Sequence, residues 1–303
     1  MDKREYNNIN KISIKANVLL NSVMILYTVV CLFPIVLTII ISFTQELEIL
    51  THGYSLWPAS FSLDAYTYLF SMGDVLWKSY GVSIFVTVIG TFFSLSIIAL
   101  YAYPLSRSDF KQRNVMAFIV FFTMVFGGGL VPWIMVYLHL VPIKDSIWIM
   151  IVPYLINGWY VLIMRTFFKT TVPDSLLEAA KLDGAGEFRT FFSIVLPISK
   201  AGLATIGLFC TLGYWNDWYL PLVFVTKSEL YNIQYLLFQT LNGIQFLSNS
   251  TTQISESASI LANLPSEGAR MAIAVLSIGP IIFAYPFFQR YFIQGLTIGA
   301  LKG

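Results

Sequence analysis

Few residues in this 303-residue chain are of a type that does chemistry, and one of them sits where a charge is expensive. His52 and His139 stand apart from each other and from any cysteine or carboxylate cluster, so neither a metal-ligand spacing nor a Ser-His-Asp arrangement can be built on them. Cys31 and Cys210 each lie inside an apolar run and read as small buried hydrophobes. No phosphate loop of the G-x-x-x-x-G-K-[ST] form is present; the nearest stretch, Leu182-Asp183-Gly184-Ala185-Gly186, lacks the lysine and follows a helix. Asp217 is the exception. It lies in the largely apolar stretch Tyr214-Trp215-Asn216-Asp217-Trp218-Tyr219-Leu220-Pro221-Leu222; an Asp at the centre of a spanning helix costs about 2.5 to 3.5 kcal/mol, less in the outer third where Asp217 is expected, and something must compensate it. On a helix Tyr214, Asp217, Trp218 and Pro221 share a face, and Pro221 cannot donate the bond that the Asp217 carbonyl would accept. Flat aromatic surface beside acceptors and donors is what a sugar needs. The other reading makes Asn216 and Asp217 ties to a neighbouring helix or a gate, with Trp215 and Trp218 at headgroup level. Tyr154, Asn157, Gly158 and Tyr160 form a second polar group inside an apolar run, either lining the same path or bonding between helices. Gly127, Gly128, Gly129 and Pro132 interrupt a third run and predict a hinge or a close helix contact.

The elements that must position these residues follow from composition. The chain is 57% hydrophobic and 11% charged, with a mean hydropathy of +0.72, far from a soluble domain and expected of a polytopic membrane protein. A net charge of +2 leaves no basic field for nucleic acid. A hydrocarbon core about 30 Å thick takes roughly 20 apolar residues to cross, and six such runs occur, at 18–43, 79–105, 114–138, 146–168, 201–225 and 271–288. The first is too long for a cleaved signal peptide and reads as a retained anchor. With the N-terminus inside, only Lys78, Lys144, Lys227 and Arg270 of the 18 Lys and Arg fall outside, which puts both termini in the cytoplasm. The chain is thus expected to be a single transmembrane domain over residues 1–303, with a cytoplasmic loop at about 169–200 and an external loop at about 226–270.

The long cytoplasmic loop reads as a helical hairpin that spans nothing. Pro173 and Asp174 suit a first helical turn, and Gly184 suits a left-handed cap after a short helix over 173–183. A second helix is predicted to begin near Gly186 or Glu187 and to stop before Pro197. Here Glu178-Ala179-Ala180, Gly184, Ile194, Leu196 and Pro197 at their spacings resemble the EAA loop of permease subunits of ATP-binding-cassette importers. The 214–222 stretch and the tail from Gln289 to Gly303 are similar to carbohydrate-importer permeases of the maltose-transporter type, in the branch of the second permease. The external segment 249–270 resembles the subgroup linked to complex polysaccharides and aldouronate oligosaccharides.

The resemblance implies an all-α, six-helix type I importer fold in the bacterial cytoplasmic membrane, a non-catalytic subunit without a cofactor of its own, and ATP and Mg on a partner ATPase. It implies a second permease subunit, two ATPase copies and an extracellular or periplasmic solute-binding protein that delivers a sugar, expected to be an oligosaccharide. Leu176, Leu177, Glu178, Ala179, Ala180, Leu182, Asp183 and Gly184 would form the ATPase-coupling helix. Small Ala179 and Ala180 permit close approach, and the leucines could serve as anchors. Asp174, Glu178, Asp183 and Glu187 outnumber Lys181 and Arg189, which disfavours a helix resting on lipid headgroups. Gly299 and Lys302 in the tail would reach the ATPase. Two rivals stay open: an importer permease for a non-sugar solute, and an ion-coupled carrier, for which Asp217 alone makes a thin relay.

Overall fold

The computed structural model describes residues 13–250, with backbone only for 247–250, together with 266–284, 286, 288 and 289. In chain order the helices are α1 (Ile14–Ser42), α2 (Glu46–His52), α3 (Asp64–Phe70), α4 (Asp74–Ser106), α5 (Arg113–Val125), α6 (Leu130–Met135), α7 (Gly158–Thr171), α8 (Asp174–Leu182), α9 (Glu187–Thr190), α10 (Leu196–Ile198), α11 (Lys200–Trp215), α12 (Tyr219–Phe224), α13 (Ile233–Ser250) and α14 (Ser266–Ile282). Two π-helical stretches, Val136–Leu140 and Phe191–Val195, prolong α6 and α9, and 3-10 turns at Ile147–Met150 and Val152–Tyr154 precede α7. The chain divides into two compact units, one of Met1–Ser71 with Ile244–Leu276 and one of Met72–Gly243 with Ser277–Gly303.

Of the six predicted spans, α1 and α4 are unbroken helices long and apolar enough to cross a membrane. Three more candidates arise among the described residues if each bent pair counts as one: α5 with 130–140, bent by 114°, the 147–154 turns with α7, bent by 53°, and 187–198 with α11, bent by 82°. The sixth run falls on α14, whose 17 residues end at Ile282, and its remainder reaches the edge of the described residues.

In the first unit α1 buries only Ile41 and Ser42, so Cys31 is exposed and not the buried hydrophobe its apolar neighbours suggest, whereas Cys210 is buried. Two carboxylates of α2 gather several polar groups of this unit. Glu46 accepts from Ser266 Oγ at 2.9 Å and from the N–H groups of Glu267 and Gly268 at 2.9 and 3.0 Å, which caps α14. Glu48 takes the Ser60 hydroxyl and the Ala59 and Ser60 amides, and these donors hold its carboxyl below the usual range.

The second unit is built around α4, which packs against α11, α7 and α5. Its core joins Ile98, Ala102 and Leu105 of α4 to Val161, Met164 and Phe168 of α7, Ile206 of α11, and Phe191 and Val195. A second cluster sets Val86, Ile149 and Met150 against Tyr214, Leu220 and Phe224. The close fit depends on Gly90, because a Cβ there would stand 2.7 Å from the Tyr214 ring. That ring is tied in turn by its hydroxyl, which donates to the Ile151 carbonyl at 3.1 Å and shares a bond with Ser94 Oγ at 2.8 Å.

Candidate functional site

The predicted helix over 201–225 is not continuous. α11 stops at Trp215, and α12 starts at Tyr219 because Asp217 does what an N-cap residue does: its Oδ1 accepts the N–H groups of Tyr219 at 3.1 Å and Leu220 at 3.2 Å. The same oxygen accepts the Tyr154 hydroxyl at 3.3 Å, while Oδ2 is buried without a partner. The Asp217 carbonyl, which Pro221 cannot satisfy, takes the side-chain amide of Asn232. Asn232 is buried, and its Oδ1 accepts from Tyr235 N at 2.9 Å to open α13, while Ile233 N donates to Ser83 Oγ at 2.8 Å. The expected shared face of Tyr214, Asp217, Trp218 and Pro221 is therefore replaced by a polar joint between two short helices. Trp215 is buried, and its Nε1 donates to the Ser277 carbonyl at 2.9 Å.

The joint borders a cavity of about 480 Å³. Of the residues singled out in the two polar stretches, Tyr154, Asn157, Tyr160, Tyr214, Asn216, Asp217 and Trp218 line it, while Gly158, Trp215 and Pro221 do not. They do unequal work. Asn157 accepts from Trp159 N at 3.0 Å and Tyr160 N at 3.4 Å, capping α7 where the helix breaks. Tyr160 stacks on Phe209 with ring centroids 5.8 Å apart, and Trp218 on Phe238 at 4.5 Å. A neighbouring cavity of about 600 Å³ is lined by Gly127, Gly128, Gly129, Pro132 and Trp133, and shares Tyr154 and Tyr219 with the first. The glycine run is thus a true interruption, with Gly129 at φ +83°. Trp133, Tyr219 and Asn232 escape the sequence reading. Asn232 carried a signal, since an Asn before an apolar helix start is a cap.

The second candidate region is the hairpin. α8 ends in a Schellman turn, in which Ala185 N donates to the Ala180 carbonyl at 2.9 Å and Gly184 N to the Lys181 carbonyl at 3.1 Å, with Gly184 at φ +75°. The eight predicted residues split between two faces. Leu177 and Ala180 are buried against the chain's own core, so Leu177 is not free to anchor anything else. Leu176, Glu178, Ala179, Leu182, Asp183 and Gly184 face outward, and Leu182 is 89% exposed. The second helix does not stop before Pro197. It runs through the π-helical stretch and α10 to Ile198, and α11 leaves at 82°.

The end of α4 meets this hairpin. Arg107 donates to both carboxylate oxygens of Asp109, at 3.0 and 2.8 Å, and these bonds hold the Asp109 carboxyl below its usual range. Arg107 also lies 4.0 Å from Glu187 Oε1, and the Tyr103 hydroxyl donates to Glu187 Oε2 at 3.1 Å. Gly299 and Lys302 lie outside the described residues.

Comparison with known proteins gives this geometry a context. Residues 96–298 match the family described as "Binding-protein-dependent transport system inner membrane component". The chain is 36% identical over 287 residues to the polygalacturonan/rhamnogalacturonan transport system permease protein YtcP of Bacillus subtilis, covering 95% of this chain and 98% of that protein. It is 28% identical to the arabinooligosaccharides transport system permease protein AraQ of Halalkalibacterium halodurans, covering 90% and 92%. Among solved structures it is similar to a chain of a bacterial ABC transporter involved in the import of the acidic polysaccharide alginate, with a TM-score of 0.76, 27% identity and 93% and 99% coverage.

Proposed function

The chain belongs to the family of binding-protein-dependent transport system inner membrane components, and from that premise we propose that it is the permease subunit of an ATP-driven importer for a sugar of oligosaccharide size. The names of its relatives support the cargo, since they are transport permeases for polysaccharide fragments and oligosaccharides. It crosses the bacterial cytoplasmic membrane six times with both termini inside. With a second, similar permease it encloses the path, and its own half includes the cavities around Tyr154, Tyr219 and Asp217. Two ATPase subunits holding ATP and Mg dock from the cytoplasm, and a solute-binding protein places the sugar on the outer segments 44–78 and 226–270. ATPase closure pulls on α8 and turns the spans outward, and reopening releases the sugar inside.

The observation that carries this reading is the outward face of α8. Leu182, almost wholly uncovered, stands with Leu176 and small Ala179 on a helix whose other face is fixed in the core and whose end is set by a left-handed glycine. That is the form of a rigid, shallow docking surface. Gly184→Val tests it: no neighbouring atom lies within 4 Å of a Cβ there, so the cost is the strained φ alone and falls on the hairpin turn. ATP-driven uptake by the reconstituted complex is expected to be lost while membrane insertion is kept. Normal uptake, or purification of the chain with no ATPase attached, counts against the reading.

A further inference from the structure

The contact between α4 and the hairpin is built with more care than a surface ion pair requires. Arg107 follows the last residue of α4, and its side chain is only 12% exposed, with a bidentate bond to Asp109 and its guanidinium 6.0 Å from the centre of the Tyr103 ring. Held in this way it has one orientation, and that orientation brings it to Glu187. Glu187 opens α9 directly after the turn that closes α8, and it takes the Tyr103 hydroxyl on its other oxygen. The root of α4 is gripped from a further side by Arg165 of α7, whose Nε donates to the Leu105 carbonyl at 3.1 Å. Three elements therefore converge on the last turn of one helix; the hairpin brings Glu187 as its polar contact and Phe191 as its apolar one, with the Phe191 and Tyr103 rings 5.1 Å apart.

We propose that Arg107, Tyr103 and Glu187 form a joint that stays closed through the transport cycle and carries hairpin movement into α4, making them positioning residues for coupling. The proposal rests on the reading of α8 as the ATPase-docking helix. It adds a non-covalent route for that movement besides the two covalent ones, back through Val172 and Pro173 into α7 and on through α10 into α11. The route into α11 turns through 82°, so a displacement along the hairpin is partly lost in bending there, and the route into α7 enters at the start of α8, whereas the joint delivers the movement at the foot of a 33-residue helix.

The test uses the full importer, reconstituted with its ATPase and binding protein, and reads sugar carried per ATP hydrolysed. Glu187 has a side chain 64% exposed, so Glu187→Ala is expected to assemble normally and keep its ATPase activity, while sugar carried per ATP falls about ten-fold. Glu187→Gln, which still accepts from Tyr103, is expected to lose less. In a Cys31→Ser background, Arg107→Cys/Glu187→Cys is expected to be uncoupled as isolated and to recover when a short bis-thiosulfonate joins the two thiols. A merely structural contact would not be rescued by a tether. An unchanged ratio in Glu187→Ala, failure of that variant to assemble, or a tether that stops transport instead of restoring it overturns the proposal. A wild-type complex whose uptake ignores ATP, or which holds no ATPase, overturns the docking reading beneath it, and is a distinct result.

Discussion

The break at 216–218 and the break at 126–129 both interrupt a stretch of membrane-spanning length, and they do so by opposite means. At 216–218 freed backbone groups are given to side chains: Asp217 Oδ1 accepts two amides, and the Asp217 carbonyl accepts the side-chain amide of Asn232. At 126–129 no side chain caps α6, the residues are exposed, and the chain turns because Gly129 adopts a left-handed φ that other residues resist. A polar break has one arrangement that satisfies its partners and is rigid for that reason. A glycine break has no partner to lose, so it can bend at little cost. The wall of the two cavities is thus half fixed and half compliant, and both halves meet at Tyr154 and Tyr219.

The comparison breaks most readily at Asn232. Asn232→Ala leaves the Asp217 carbonyl buried without a donor and α13 without its cap, and is expected to cost about 2 to 4 kcal/mol, read by denaturant titration of the purified protein. At the compliant break, Gly129→Ala has room for its Cβ but not the φ, so about 1 to 2 kcal/mol is expected in the same titration. Asp217→Ala loses the cap of α12 but also removes the unpartnered Oδ2, which brings the expected cost down to about 1 kcal/mol. Asp217→Asn, which caps equally well, is expected within about 0.5 kcal/mol of the wild type. Gly127→Ala, with open space around it and no left-handed φ, is expected to change stability by less than about 0.5 kcal/mol. If Gly127→Ala costs as much as Gly129→Ala, the second break is not a matter of backbone freedom.

An exposed counterpart of the polar break gives the smallest and cleanest effect. Asp145 accepts the Thr226 and Lys227 amides and the Thr226 hydroxyl, and these bonds hold its carboxyl below its ordinary value. A lowered value means the clasp is worth most above the unfolded carboxyl value near 3.8 and is lost as pH falls through the lowered one. Hydrogen-exchange protection of the Thr226 amide should therefore persist through the ordinary carboxyl titration range and fade only below it, and Asp145→Asn should flatten that dependence.

Much of this was legible in the chain. Seven of the polar and aromatic residues of the 154–160 and 214–218 stretches converge on one cavity, because a residue type that is costly in an apolar run is placed where something compensates it. Gly184 announced its turn, since few other residues take that φ. What could not be read was which of two local solutions a polar residue would take. Asp217 two residues before Tyr219 is an N-cap spacing as much as a helix interior, and only the packing of Leu220 and Phe224 against Ile149 and Met150 decides for the cap. Likewise Leu176 and Leu177 are identical in type, and the rotation of α8 on its core, not the sequence, assigns one to each face. Cys31 misled because an apolar neighbourhood in the sequence says nothing about which apolar medium surrounds a helix.

That last point bears on α1. Its 29 residues make a rod about 44 Å long, against a hydrocarbon thickness of about 30 Å. Among the described residues its ties to its own unit lie at one end: Ser42 to the Tyr66 hydroxyl at 2.8 Å, Phe43 stacked on that ring at 4.7 Å, and Ser62 N to the Phe43 carbonyl at 2.8 Å. Lipid tails are as apolar as the helix, so no hydrophobic force presses the remaining length against the chain. α1 is a mast stepped at its foot, and its lean is set by the bilayer and by whatever protein stands beside it.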